Sequence, residues 1–140
     1  MKESSWEECV ETNAAVKVSP DRQKAASLID TATGRNEYLQ GNAITESNAN
    51  YIFEGYYSSL LEMLHALLLL HGHKMNNHIC IGYYVRDILK REDMFRIFDD
   101  CRFKRNALVY YGERMSFETA KASIEKCKKL IQEIVLISKT

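Results

Sequence analysis

Apolar positions along most of the chain recur at intervals of three and four, the spacing of one face of an α-helix. No stretch alternates at period two for long enough to predict a strand. Trp6, Val10 and Ala14 share one side of a short amphipathic segment that runs from Trp6 to about Lys17. Ser19-Pro20-Asp21 reads as a helix start: Ser at the N-cap, Pro in the first turn, Asp near the positive end. The helix it opens is expected to bury Ala25, Leu28, Ile29 and Ala32 and to end before Gly41-Asn42. Thr45-Glu46 opens the next helix, which should reach about His71. That helix is apolar over most of its circumference, with only Glu54, Ser58, Glu62 and His65 on a narrow polar face. A helix of this kind must be covered on several sides. It is therefore predicted to be central, to lie at a subunit interface, or both.

Gly72 to Asn77 reads as a connector, followed by a helix from His78 to about Lys90. Glu92-Asp93 starts another, with the row Met94, Phe98, Cys101, Arg105, Leu108, Gly112 and Met115. Ser116 caps the last helix, with the row Phe117, Ala120, Ile124, Cys127, Ile131 and Ile134. The two rows suggest an antiparallel pair packed at a shallow angle. The fold class expected is all-α: an antiparallel up-and-down bundle of about five helices. Residues 19–138 would form the bundle, and residues 1–18 an N-terminal extension with a short helix. A chain of 140 residues is one domain of ordinary size, long enough to build a core without staples.

Charge narrows the partners only a little. Lys plus Arg number 19 and Asp plus Glu 19, which argues against a strongly basic coat but not against a local basic patch. Lys121, Lys126, Lys128 and Lys129 alternate with Glu125 and Glu133 and read as ordinary solvated surface. The start of the chain, Met1 to Glu8, has no apolar run of the secretory kind. The longest apolar run, Leu60 to Leu70, is well short of the ~20 residues a membrane span needs. No membrane association is expected, and the location expected is cytoplasmic. Of the four cysteines, no two stand at a metal-ligand spacing. Cys101 and Cys127 fall on apolar rows and read as reduced core residues, in keeping with a reducing compartment. His65, His71, His73 and His78 cluster in sequence, but no Cys or carboxylate completes a zinc spacing. No metal and no cofactor is expected.

Three segments carry a resemblance. The first is Asn50-Tyr51-Ile52-Phe53-Glu54-Gly55-Tyr56-Tyr57, running into Glu62-Met63-Leu64-His65-Ala66-Leu67-Leu68. The second is the Gly-containing turn Gly72 to His78, and the third runs from Phe98 to Gly112 and holds Arg105-Asn106 on the penultimate helix. In order and spacing these resemble the HEPN family (higher-eukaryote and prokaryote nucleotide-binding domains), especially its short archaeal and bacterial members, over roughly Pro20 to Ile134. The resemblance implies a helical bundle that forms a homodimer, with Arg-Asn segments of two subunits facing a shared cleft. It implies binding of RNA or a nucleotide. It also implies a minimal nucleotidyltransferase as partner, in the manner of a toxin–antitoxin pair.

Ribonuclease members of that family carry an Arg followed by a His just over a turn later. Here Arg105 is followed at that place by Tyr110, with Tyr111 next, and no His occurs after His78. A phenol with a pKa near ~10 is a poor general base at neutral pH. The motif therefore reads as a degenerate one, in which Arg105 contacts phosphate and Tyr110 stands in for the His. Arg102, Asn106, Tyr111 and His78 are the candidate ligand-binding residues. Two other readings stay open. Arg105 lies on an apolar row, where it needs a partner; an internal salt bridge there would favour a non-catalytic homodimeric interaction protein. A weak metal-independent ribonuclease would need Tyr110 or His78 within reach of Arg105.

Overall fold

The computed structural model describes residues 3–75 and 77–139. Met1 and Lys2 of the N-terminal segment, Asn76 of the connector and Thr140 lie outside them. The described residues form α1 (Trp6–Glu11), β1 (Ala15–Lys17), α2 (Arg22–Gln40), α3 (Ala49–Leu70), β2 (His73–Met75), α4 (His78–Asp87), α5 (Glu92–Tyr111) and α6 (Phe117–Ser138). The chain is mostly helical, as the periodicity predicts, with a small two-stranded sheet added.

The apolar girdle of α3 decides the packing. Phe53, Tyr57, Leu60, Leu64 and Leu68 are all at most 2% exposed. α2 runs antiparallel along it: the Asp21 N–H donates to the Leu69 carbonyl near one end, and Leu39 meets Gly55 near the other. A Cβ on Gly55 would stand 2.9 Å from Leu39 Cδ1, so the absence of a side chain lets the helices approach. Even the narrow polar face of α3 is covered. Arg35 of α2 pairs with Glu62 at 2.7 Å and donates to the Ser59 hydroxyl at 3.2 Å.

α6 runs parallel to α3, with Asn50 against Met115 at one end and Met63 and Leu67 beside Ile134 at the other. α5 runs antiparallel to α6, matching Arg91 with Glu133, Asp100 with Lys126, and Cys101 with Cys127. The buried Asn50 amide donates to the Met115 carbonyl at 3.1 Å and accepts from the Met115 N–H at 2.9 Å. Both backbone groups of Met115, in the α5–α6 connector, are thereby satisfied. Gly112, at φ +66°, supplies the left-handed residue that ends α5.

The first eighteen residues depart from the sequence reading. The helix stops at Glu11 instead of continuing to Lys17, because Asn13 adopts φ +64°, a conformation asparagine tolerates. β1 then pairs antiparallel with β2, Val16 opposite Lys74, so the connector before His78 is partly a strand. Three-residue strands are too short for an alternating pattern to announce them. Trp6, Cys9 and Ala15 belong to the same buried core as α3, so this segment is part of the bundle's body and not an appendage. Among the described residues there are six helices, α1 being the extra one.

A disulfide joins Cys9 to Cys80 across 71 positions of chain. No spacing in the sequence announces it. Cys101 and Cys127 are buried free thiols, as their place on the apolar rows suggests. The inference of a reducing compartment from the cysteines loses its footing, since structural bridges persist in oxidising ones. None of the helices among the described residues is long and apolar enough to cross a membrane.

The bridge makes a direct prediction. Denatured without reductant, the protein should take up two alkyl groups, on Cys101 and Cys127, and all four cysteines should react after reduction. Reduced protein should be less stable by up to about 4 kcal/mol, because the bridge closes a long loop. Mass spectrometry showing every cysteine alkylated before reduction would contradict it.

Candidate functional site

α5 turns two faces to its surroundings. Met94, Phe98 and Cys101 face the core, while Arg102, Asn106 and Tyr110 follow one another along a polar stripe at helical spacing. Where that stripe passes the start of α4, the two helices frame a cleft of about 440 Å³. Asn77, His78 and Ile79 form one wall, Arg102, Asn106 and Tyr110 the other, and Glu3 lies at the rim. A second depression of about 450 Å³ continues along α5 past Phe103, Ala107 and Tyr111 and shares the α5 wall of the first. Four of the six residues singled out from the sequence thus line a single cleft, and Tyr111 lines its continuation.

Arg105, the sixth, is half-buried and lines neither depression. Its guanidinium carbon stands 5.8 Å from the ring centre of Tyr57 and 5.7 Å from that of Tyr110. Its Nη1 donates to the Tyr110 hydroxyl at 3.5 Å, the outer limit of a hydrogen bond. No carboxylate among the described residues forms an ion pair with it. Its Nε is buried without a hydrogen-bond partner, and so is the hydroxyl of Tyr57. Each such buried orphan costs about 1–3 kcal/mol. The two rings give the guanidinium cation–π contacts near the outer limit of about 6 Å.

The start of α4 adds to the positive character. Asn77 caps the helix by accepting the Cys80 N–H at 2.9 Å, and the first turn presents the positive end of the helix to the cleft. Arg102 is turned partly to Asp99, one turn before it, at 2.9 Å. The Glu3 carboxylate accepts the Thr12 hydroxyl at 2.8 Å, which lowers its pKa. Only Glu3 of these two carboxylates lines the cleft, and neither is bonded to Arg105. His78 stands 6.4 Å, ring centre to ring centre, from Tyr57. Burial and then the Arg105 charge push its pKa below the ordinary histidine value, so the imidazole is neutral at physiological pH.

Tyr57 is the residue that sequence reasoning missed. It lies in the first of the three quoted segments, but its place on an apolar helix assigned it to the core. Only the combination of burial with an unpaired hydroxyl reveals the second role. The four histidines do not gather: His78 lines the cleft, His65 and His73 line a different cavity, and His71 bonds the Tyr84 hydroxyl. No family model, no curated protein and no solved structure matches the chain.

The native fold disfavours the protonated form of His78. The unfolded chain therefore binds the extra proton, and this group contributes stability that is present above the ordinary value of 6.5 and is lost as pH falls from there through the lower folded value. Titration of the His78 ring by NMR should give a pKa below 6.5, moving up in Arg105→Ala. An unchanged value in that variant would place the Arg105 charge away from His78.

Proposed function

We propose that this chain is a HEPN-like module that binds the phosphate of RNA or of a nucleotide in the α4–α5 cleft. The observation that carries the reading is Arg105, a guanidinium 5.8 Å and 5.7 Å from the ring centres of Tyr57 and of the cleft-lining Tyr110, with a buried orphan nitrogen and no carboxylate partner among the described residues. A phosphate between Arg105, Arg102 and the first turn of α4 would meet charge-assisted donors from three directions. Asn106 and the Tyr110 hydroxyl are placed to bond the sugar or base. Tyr110 and Tyr111, 66% and 77% exposed at the end of α5, offer ring faces on which a base can stack. The family resemblance supports the same reading, since the Arg-Asn segment lies on the penultimate helix and borders the cleft. It also supports a homodimer, to which the exposed Phe103 and Tyr111 beside the cleft would contribute apolar surface. A minimal nucleotidyltransferase remains the partner that the resemblance suggests.

A second reading, weak cleavage of RNA without metal, is favoured by one specific observation. His78 is neutral, it borders the cleft, and the Arg105 charge acts on it. A neutral imidazole can take the proton of a 2′-hydroxyl, and Arg105 would balance the charge that develops on the phosphate if its side chain turned toward the cleft. Tyr110, bonded to Arg105, would then orient and not deprotonate.

Fluorescence polarisation with a short single-stranded RNA tests the first reading. Arg105→Ala should weaken binding at least about tenfold, as expected for a lost hydrogen bond to a charged group. The same RNA incubated with excess protein and EDTA tests the second. Slow cleavage lost in both Arg105→Ala and His78→Ala would support it, and intact RNA would leave binding alone. Equal affinity of wild type and Arg105→Ala would remove the basis of the proposal.

A further inference from the structure

A second cavity, of about 250 Å³, lies between α2, α3 and β2. Leu28, Leu69 and Met75 make its apolar lining, and Lys24, His65 and Lys74 supply the polar groups. It shares no residue with the α4–α5 cleft. No carboxylate lines it, and neither Lys24 nor Lys74 forms an ion pair among the described residues. Two nearby acids have partners of their own, although the charge of Glu62 also acts on His65. Asp21 accepts the Lys24 N–H at 3.0 Å as the cap of α2, and Glu62 is paired with Arg35 at 2.7 Å. His65 is held below its ordinary pKa, first by burial and then by Lys24, so it faces the cavity as a neutral ring. His73, also in the wall, has a buried Nδ1 with no hydrogen-bond partner of good geometry.

An apolar hollow with two lysines and no acid in its lining selects its occupant by charge and by shape. We propose that this cavity binds a small carboxylate with a short apolar tail. Lys24 and Lys74 hold the carboxylate, a histidine N–H adds a hydrogen bond, and Leu28, Leu69 and Met75 cover the tail. The volume is below the roughly 300–1,000 Å³ of sites for drug-sized ligands, so the tail is a few carbons or one ring. A bare inorganic anion would leave the leucines and Met75 facing water. A neutral alcohol of the same length would leave both ammonium groups unpaired.

Calorimetric titration of the whole protein with hexanoate, benzoate, inorganic phosphate and hexanol tests this directly. Hexanoate and benzoate should bind saturably, and phosphate and hexanol should not. Lys24→Gln and Lys74→Gln should each weaken hexanoate about tenfold, the loss of one charge-assisted contact. Methyl resonances of Leu28, Leu69 and Met75 should shift with hexanoate in the wild type, which reports occupancy without a variant. Arg105→Ala should bind hexanoate as the wild type does, so this site and the RNA cleft succeed or fail separately. Absence of saturable hexanoate binding, binding unchanged in both lysine variants, or phosphate binding as tightly as hexanoate would each overturn the proposal.

Discussion

A helix with apolar side chains around nearly its whole circumference has to be covered on every side, and α3 imposes that demand on everything else in the fold. α2 meets it with small residues, Ala25 and Ala32 at its buried positions, and with Arg35 reaching over to Glu62. α6 meets it with a continuous row from Ala120 to Ile134. α5 completes the cover, and in doing so lays Phe98 against Tyr57 at 6.1 Å and Arg105 over the same ring. The cleft inherits its floor from this packing. Tyr57 could not be both a core ring and the seat of a guanidinium unless α3 were central and α5 crossed it at this height.

The other wall depends on the N-terminal segment. Trp6 donates its N–H to Asp87 at 2.8 Å, and Arg86 reaches the Ser4 carbonyl at 3.0 Å, so the far end of α4 is clasped by residues before α1 and at its start. Cys80, on the first turn of α4, is bridged to Cys9, and β1 pairs with β2 just ahead of it. These ties fix where Asn77 and His78 stand relative to α5. The segment that adds Trp6, Cys9 and Ala15 to the core thus also sets the geometry of the cleft, and it brings Glu3 to the cleft's lining.

The long helices were legible in the sequence because their apolar rows extend over many turns. Ser116 was legible as a cap because the residue type and the row that follows agree. Arg105 stood out for a physical reason that the structure sustains: a cation on an apolar row must be accounted for. What escaped notice depends on chain distance or on very short elements. The Cys9–Cys80 bridge joins residues 71 positions apart, and each strand is three residues long. The start of α4 could be placed, since Asn77 precedes His78, but nothing local says that its first turn faces the polar stripe of α5. The polar stripe itself reads equally well as solvated surface until α4 is set beside it.

The central claim is that an external phosphate completes the group of donors around Arg105. The most direct measurement is a ¹H–¹⁵N NMR titration of the protein with a short single-stranded RNA, read residue by residue. The account predicts that the largest shifts fall on the amides of His78, Ile79, Arg102, Asn106 and Tyr110 and on the Arg105 Nε–H. Shifts confined to the lysine face of α6, around Lys121, Lys126 and Lys129, with the cleft silent, would contradict it.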